Sequence, residues 1–149
     1  MTCSSAIPAV VLDTNVVLDW FVFGDPAVAP LADAIQCGRL RWLGCAAMQA
    51  ELAHVLTHGS LAGAQVQTGQ VLAMVGRWQA QIELPAEQPW PRLRCRDASD
   101  QVFLDLALHT QAAWLFSRDR ALLALARKAA QAGLAIVAPR HWVVPAPAG

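Results

Sequence analysis

The amino-acid sequence predicts one α/β domain with a short parallel sheet covered by helices. The chain has 149 residues, a length at which a single domain buries roughly 70% of the surface of its unfolded chain. Hydrophobic residues make up 56% of the chain and charged residues 15%, which argues against disorder. Short apolar runs alternate with segments of helical periodicity, and no internal repeat is present, which is typical of an α/β fold.

Four short apolar runs predict the strands of this sheet. The first is AIPAVVLD at Ala6–Asp13, a valine-rich and nearly continuous run, as expected for a strand that is buried on both faces. The others are LRWLGC at 40–45, AAWLFS at 112–117 and LAIVAP at 134–139. Strands that alternate with helices predict parallel pairing.

Segments with apolar residues at helical spacing lie between these strands. The predicted helices span residues 29–40, 46–59, 61–79, 99–111 and 120–133. Gly38, Gly59 and Gly133 stand at the ends of three of them, where helices commonly stop. The prolines of AEQPWP at 86–91 break the chain after the third helix, and the tail VPAPAG at 144–149 is expected to be frayed.

The composition limits the classes of function. Eleven basic and eleven acidic residues give a net charge of zero, so nucleic-acid binding would need a local basic patch. Four cysteines without CxxC spacing argue against a zinc site or a redox pair and favour reduced thiols in a cytoplasmic protein. No signal peptide or membrane span is expected. Six tryptophans and no tyrosine favour surplus apolar surface and hence oligomerisation.

Acidic side chains stand where the predicted elements would bring them together. Asp13 directly follows the first strand and Asp119 follows AWLFS, and the carboxyl ends of parallel strands meet at one edge of a sheet. Asp100 opens an amphipathic helix, with Asp97 one turn earlier, and Glu51 lies inside another helix between apolar neighbours. Four acids from distant segments could therefore reach one cleft.

Clustered carboxylates would need a counter-ion. Two of them about 4 Å apart repel by roughly 4 kcal/mol at an effective dielectric constant near 20, so four would take up protons or bind a cation. Oxygen ligands without His or Cys favour a hard ion, Mg²⁺ or Mn²⁺. Such an ion polarises a phosphoryl oxygen and lowers the pKa of a bound water, which is the chemistry of phosphodiester hydrolysis.

A simpler interpretation exists for each acid. Asp13, Asp100 and Asp119 could each cap the helix that follows, a role that does not prevent the carboxylate from also binding an ion. Glu51 cannot be a cap in the middle of a helix, although solvent exposure would explain it. The pattern alone leaves both interpretations open.

Three arginines alternate in the segment RLRCRDASD. Arg92, Arg94 and Arg96 would share one side of an extended chain and directly precede Asp97 and Asp100. They could position substrate phosphates or balance the charge of the neighbouring carboxylates, and the sequence does not choose between the two.

Other polar residues receive simpler interpretations. His54 and His58 share a helical face with Glu51, but a di-iron bundle needs a second such motif and a zinc site needs further ligands. A solvated or partly packed face is therefore expected, although His54 could touch substrate. The remaining acids are interpreted as surface or capping residues: Asp19, Asp25, Asp33 and Asp105.

Taken in order, VVLDTNVVLDWFVFG, QAELAHVL, CRDASDQVFLDLAL and LFSRDRALLAL resemble the PIN domain. The chain is most similar to the bacterial branch of toxin components of toxin–antitoxin pairs, down to IVAPRHWV near its end. The resemblance implies one PIN-like domain over residues 1–149, with a three-layer α/β/α sandwich around a short central parallel sheet. It also implies a ribonuclease that depends on Mg²⁺ or Mn²⁺.

The resemblance assigns roles to individual residues. The four family acids fall on Asp13, Glu51, Asp100 and Asp119. Residues expected to support them are the small hydroxyl residue beside the fourth acid, an additional acid of this branch and the asparagine of DTN: Ser117, Asp97 and Asn15. Arg118 departs from the family, where Asn or Gly is common, and could contact a phosphate. The single lysine leaves RNA binding to arginine, so Arg94, Arg96 and Arg118 are the expected substrate contacts.

The resulting hypothesis is a metal-dependent endoribonuclease, with Asp13, Asp100 and Asp119 as metal ligands. Glu51 is expected as a further member of the metal site that positions or activates the attacking water. The expected partners of this enzyme are RNA, an antitoxin protein and further copies of itself in a homodimer or higher oligomer, without a membrane. One alternative is a catalytically silent PIN-fold protein that binds RNA or acts as a scaffold. A second is an Asp-based phosphotransferase, which needs a lysine near the carboxylate, whereas Lys128 lies inside a predicted helix.

Overall fold

The computed structural model describes residues 7–58, 67–85 and 93–144. The strands are β1 (Ala9–Leu12), β2 (Arg41–Gly44), β3 (Gln79–Gln81), β4 (Trp114–Phe116) and β5 (Ala135–Val137). The α-helices are α1 (Thr14–Phe21), α2 (Ala29–Gln36), α3 (Ala46–Thr57), α4 (Thr68–Trp78), α5 (Gln101–His109), α6 (Arg120–Leu123) and α7 (Ala126–Gln131). Short 3₁₀ turns occupy Pro26–Val28, Ala98–Asp100 and Pro139–His141. Over these ranges no helix is long and apolar enough to cross a membrane.

The strands form one parallel sheet in the order β3-β2-β1-β4-β5. Strand β1 lies at its centre, and Val10 is in register with Trp42 of β2 and Trp114 of β4. Val10, Val11 and Leu12 have no exposed surface, because a central strand is covered on both faces. The predicted parallel α/β fold is therefore confirmed.

Two apolar cores lie on opposite faces of the sheet. On one face, Val10 and Leu12 of β1 pack in a cluster to which helices α1 to α4 contribute, including Val16 and Leu56. On the other face, Val11 packs in a cluster with residues of α5, α6 and α7. Alternate residues of β1 thus serve the two cores, as the twofold periodicity of a strand requires, and the result is the expected three-layer arrangement.

The structure corrects several predicted boundaries. Gln79 belongs to β3 and not to the preceding helix, which begins at Thr68 within the described part. The sequence QAQ carries no apolar run, and Ala80 and Gln81 are exposed at this edge of the sheet, so the strand had no hydrophobic pattern. The predicted helix 120–133 is two helices, α6 and α7, separated at 124–125 by a turn in which Leu125 N–H bonds to Leu122 C=O. Good helix-forming residues occupy this turn, so packing rather than propensity sets it.

Two acids are not the surface or capping residues that the sequence suggested. Asp19 is 6% exposed and pairs with Arg118, and Asp105 is 4% exposed and accepts a hydrogen bond from Gln101. Arg118 lies 99 positions from Asp19 along the chain, so the sequence did not reveal this pair. Gln101 lies one helical turn before Asp105, but this spacing alone did not indicate that Asp105 is buried. Asp25 caps a 3₁₀ turn as expected. The segment 86–91 and most of the tail 144–149 lie outside the described residues.

Candidate metal centre

Five acids of the sequence line one open cavity of about 240 Å³. Asp13 follows β1 and Asp119 lies three residues after β4, so neighbouring strands deliver them to the same edge of the sheet. Asp97 and Asp100 come from the turn before α5, and Glu51 comes from α3. The other described lining residues are Thr14, Asn15, Val55, Ser99 and Phe103. The fold therefore assembles the acids that the sequence singled out.

Asp13 is the most deeply buried of these acids, at 2% exposure. Its Oδ1 accepts the backbone N–H of Val16 at 2.9 Å, which makes it the N-cap of α1, and its Oδ2 accepts the hydroxyl hydrogen of Ser117. Burial raises the pKa of Asp13 from 3.8 to about 6, against the lowering effect of these two hydrogen bonds. Asp13 is thus a helix cap whose carboxylate also faces the cavity.

Asp119 and Asp100 occupy cap positions but do not act as caps. Each precedes a helix, and neither side chain bonds to the backbone of that helix. The Oδ2 atom of Asp119 is buried and has no hydrogen-bond donor within the described part of the chain. A buried acceptor without a donor is costly, and a cation bound in the cavity would remove this cost. The capping interpretation therefore holds for Asp13 and fails for the other two.

Three of the carboxylates crowd together. Asp97, Asp100 and Asp119 each offer an oxygen such that the three atoms lie within 4.8 Å of one another. Burial raises the pKa of Asp100 well above its ordinary value, a hydrogen bond shared with the Asp119 side chain raises it further, and so do the charges of Asp119, Asp97 and Asp13. All the donors in this group are carboxylate oxygens, which suit Mg²⁺ or Mn²⁺ rather than a softer ion. The residues present therefore fit a hard divalent cation.

Ser117 links the two strand-end acids. It is completely buried, donates its hydroxyl hydrogen to Asp13 Oδ2, and accepts the backbone N–H of Asp119 at 2.9 Å. Its backbone N–H donates to the carbonyl oxygen of Val137 in β5. Because one small hydroxyl contacts both chain segments, it fixes how the ends of β1 and β4 lie relative to each other.

Glu51 is held by a residue that the sequence analysis missed. The hydroxyl of Thr14 donates to Glu51 Oε2 at 2.8 Å, and both residues line the cavity. Glu51 is therefore oriented by a bond from α1 to α3, and solvent exposure alone does not account for it. Thr14 stands inside the DTN motif between Asp13 and Asn15, so its position in the motif could have drawn attention to it. Asn15 is exposed at the rim of the cavity.

The predicted cationic contacts differ in their surroundings. Arg118 makes two bonds to Asp19, from Nε to Oδ2 at 2.8 Å and from Nη2 to Oδ1 at 3.3 Å, and its side chain is 48% exposed. Its proposed contact with a phosphate would have to be made from within this ion pair. Arg94 and Arg96 are exposed beside the acids, and Arg92 lies outside the described residues.

Residues named in the alternative interpretations stay outside the described lining of the cavity. His54 and His58 are exposed, with stacked rings whose centroids are 4.2 Å apart. Lys128 is exposed on α7. No lysine therefore stands at the acids to serve a phosphotransferase.

Comparison with known proteins agrees with this architecture. A model of the PIN domain family matches residues 9–121. No individual curated protein sequence matches the chain. The fold is similar to the crystal structure of VapBC2 from Rickettsia felis bound to a DNA fragment from their promoter, with a TM-score of 0.56 and 13% identity, covering 86% of this chain and 96% of that chain. Because the family match spans most of the sequence and includes the strand-end acids, the chain belongs to the PIN domain family.

Proposed function

We propose that this protein is a ribonuclease that depends on Mg²⁺ or Mn²⁺ and acts as the toxin of a toxin–antitoxin pair. The observation that carries the proposal concerns Asp119, which lines one cavity with four further acids and whose buried Oδ2 has no donor among the described residues. Repulsion within such a cluster is relieved by protonation or by a shared cation, and a cation would also give the buried Oδ2 of Asp119 a partner. Membership of the PIN domain family, whose resemblance implied nuclease activity, supports the same conclusion.

Asp13, Asp100 and Asp119 are the proposed ligands, and all three line the cavity. Asp100 and Asp119 also belong to the group of three close carboxylate oxygens, whose third member is the exposed Asp97. When bound, the ion would polarise a phosphoryl oxygen and lower the pKa of a water molecule. The protein itself keeps Asp13 oriented through the bonds from Ser117 and from the backbone N–H of Val16. These contacts set the ligand geometry before substrate arrives.

Glu51 is the proposed base. Its Oε2 accepts a hydrogen bond from Thr14, which leaves Oε1 to position a water molecule and accept its proton. RNA phosphates next to the cleaved bond would be held by exposed arginines at the edge of the acid group, Arg94 and Arg96.

An antitoxin is the proposed regulatory partner. The Rickettsia felis structure with a similar fold is that of VapBC2 bound to DNA from their promoter. Self-association is supported by large apolar side chains left exposed, namely Phe23, Met74 and Val143. A cytoplasmic location follows from the same proposal.

Cleavage of single-stranded RNA should be measured with Mn²⁺, with Mg²⁺ and with EDTA. Asp13→Asn and Asp119→Asn should each reduce the metal-dependent rate by at least about a hundredfold. Asn can still cap α1, so the first substitution tests the ligand role apart from the capping role. Asp33→Asn, which changes an exposed acid paired with Arg39, is the matched control. Cleavage that survives both substitutions unchanged would overturn the proposal.

Metal binding should also be followed by thermal unfolding. Mn²⁺ should raise the midpoint of the wild type and leave that of Asp119→Asn almost unchanged, since only the intact cluster gains from the ion. A protein that gains stability from Mn²⁺ yet does not cleave RNA would instead support a catalytically silent member of the family.

A further inference from the structure

A glutamine outside the acid group holds residues 93–96, the arginine segment, in place. Gln101, the first residue of α5, makes three hydrogen bonds with its side chain. Oε1 accepts the backbone N–H of Cys95 at 2.7 Å, and Nε2 donates to the backbone carbonyl of Leu93 at 2.6 Å and to Oδ1 of Asp105 at 2.9 Å. A carboxamide has two N–H donors and one carbonyl, so every polar group of this side chain is bonded.

These bonds reach the residues of the segment that face inwards. Leu93 packs against the core beneath α5 and Cys95 is 9% exposed, whereas Arg94 and Arg96 are exposed. Burial thus alternates over residues 93–96, where the chain is irregular up to the bend at Arg96 that leads into the 3₁₀ turn. Because Gln101 bonds to the backbone of both inward residues, it holds the backbone from which the two arginine side chains extend.

The same glutamine is joined covalently to the acid group. Asp100 precedes it directly in sequence, and Asp97 follows Arg96, and both acids line the cavity. The segment with the arginines and the helix with the acid are therefore fixed to each other at two points, by the peptide chain and by Gln101. Behind it, buried Asp105 accepts one of the amide hydrogens and so holds the amide in one orientation.

The arginines are not used to neutralise the acids. No ion pair of Arg94 or Arg96 occurs among the residues that the structure describes, although Asp97 is their neighbour in sequence. Charge balance alone would be expected to draw the guanidinium groups onto the carboxylates. Arg94 and Arg96 are instead exposed to solvent, on a segment whose backbone Gln101 holds. These two cations form a strip that an external anion could bind.

We propose that Gln101 is a positioning residue that holds Arg94 and Arg96 as a binding subsite for the RNA phosphates beside the cleaved bond. The two arginines stand two residues apart and are both exposed, so they can contact neighbouring phosphates of one strand. The identity of the polyanion as RNA rests on the proposed function. Binding is measured separately from cleavage, so the two can fail independently.

The test is the salt dependence of RNA binding. A fluorescent single-stranded RNA oligonucleotide is titrated with full-length protein in EDTA, over a series of NaCl concentrations. In the double variant Arg94→Gln with Arg96→Gln, the negative slope of log K against log [NaCl], where K is the association constant, should become shallower by about 1.4. Each lost phosphate contact contributes about 0.7 to this slope. The matched control is Arg39→Gln with Arg41→Gln, which makes the same charge change at two exposed arginines. These lie at the amino-terminal end of β2, whereas the acids lie at the carboxyl ends of the strands. The slope of this control should equal that of the wild type.

Substitution of Gln101 should reproduce part of this effect without removing any charge from the strip. Gln101→Met alone should make the slope shallower, towards that of the double arginine variant. When Gln101→Met is added to the double arginine variant, the slope should not change further. In steady-state cleavage, KM should rise severalfold while kcat changes less than twofold. A loss of stability alone would not change the salt slope in this way.

A second pair of variants covers the case in which Gln101→Met does not fold. Gln101→Glu keeps an acceptor for the Cys95 N–H but places a second carboxylate beside Asp105 and cannot donate to Leu93. Combining it with Asp105→Asn exchanges the amide and the carboxylate, which restores the bond between positions 101 and 105 and should return the slope towards the wild-type value.

The inference is overturned if folded Gln101 variants keep the wild-type slope, or if the double arginine variant does. In that case RNA cleavage that depends on Asp13 would still stand. Conversely, a reduced slope in a protein that cleaves no RNA would support the subsite and refute the nuclease.

Discussion

Raising the pH should weaken the metal-free protein, and part of the loss should trace to Asp13. Burial raises the pKa of this carboxyl group to about 6, from 3.8. Between about pH 3.8 and about pH 6, the folded protein therefore keeps a proton on Asp13 that the unfolded chain has already released. The stabilisation is fully present below about pH 3.8 and is lost as the pH rises through about 6.

The size of the effect follows from the two pKa values. The full difference between about 6 and 3.8 corresponds to about 3 kcal/mol, at 1.36 kcal/mol for each pKa unit. About 1.4 kcal/mol of it is lost between pH 5 and pH 8, because the folded protein is still mostly protonated at pH 5 and the unfolded chain is not. A difference of this size is measurable by urea unfolding.

Asp13→Asn isolates this contribution. The amide keeps an acceptor for the N–H of Val16 and does not titrate, while every other ionisable group is kept. The substitution also removes the charge of Asp13, which is the smallest of the causes that raise the pKa of Asp100. In EDTA, the free energy of unfolding of the variant relative to the wild type should therefore rise by about 1.4 kcal/mol from pH 5 to pH 8. Asp33→Asn, which changes an exposed acid, should show no such rise.

At pH 8, metal should raise the stability of the wild type relative to the variant. Mn²⁺ at a hundred times its dissociation constant should stabilise the wild type by about 2.7 kcal/mol and the variant by much less. The reasoning is refuted if the wild type and Asp13→Asn show parallel pH dependence in EDTA, since the buried carboxyl would then be ionised throughout.

Three further substitutions test the packing around the site. Gly44→Ala would place a Cβ 2.2 Å from Cδ of Gln79 and should cost about 1–3 kcal/mol in urea unfolding, a loss that Gln79→Ala should largely remove. Arg118→Met leaves the buried carboxylate of Asp19 without its cation and should cost about 2 kcal/mol, with Asp19→Asn in the same chain recovering part of the stability. Thr14→Val removes the hydrogen bond to the carboxylate of Glu51 and should lower kcat about tenfold. The affinity for Mn²⁺, measured by calorimetry, should stay the same.

The sequence predicts the parts of this protein that depend on local pattern. The apolar run before Asp13 indicated the central strand, and the position of Asp119 after another such run placed both acids at one edge of a parallel sheet. Asp100 followed from its place at the start of an amphipathic helix. These predictions succeed because strand ends and helix starts are marked by the residues that form them.

Features that depend on the approach of distant segments were not predictable. The sequence gives no indication that Asp19 is buried, because its partner Arg118 lies 99 positions away along the chain. Strand β3 was missed since QAQ pairs through its backbone and carries no hydrophobic pattern. Gln101 shows its role only when the chain from Leu93 to Cys95 folds back over α5.

The single hydrogen of the Ser117 hydroxyl makes the two strand-end acids unequal. A hydroxyl can donate once, and here that hydrogen goes to Asp13, which also receives the N–H of Val16. Asp119 Oδ2 receives neither. Asp13 is thus already held by two hydrogen-bond donors, whereas Asp119 would be stabilised most by a bound cation. If a cation binds here as proposed, its removal should affect the end of β4, next to Asp119, before it affects β1.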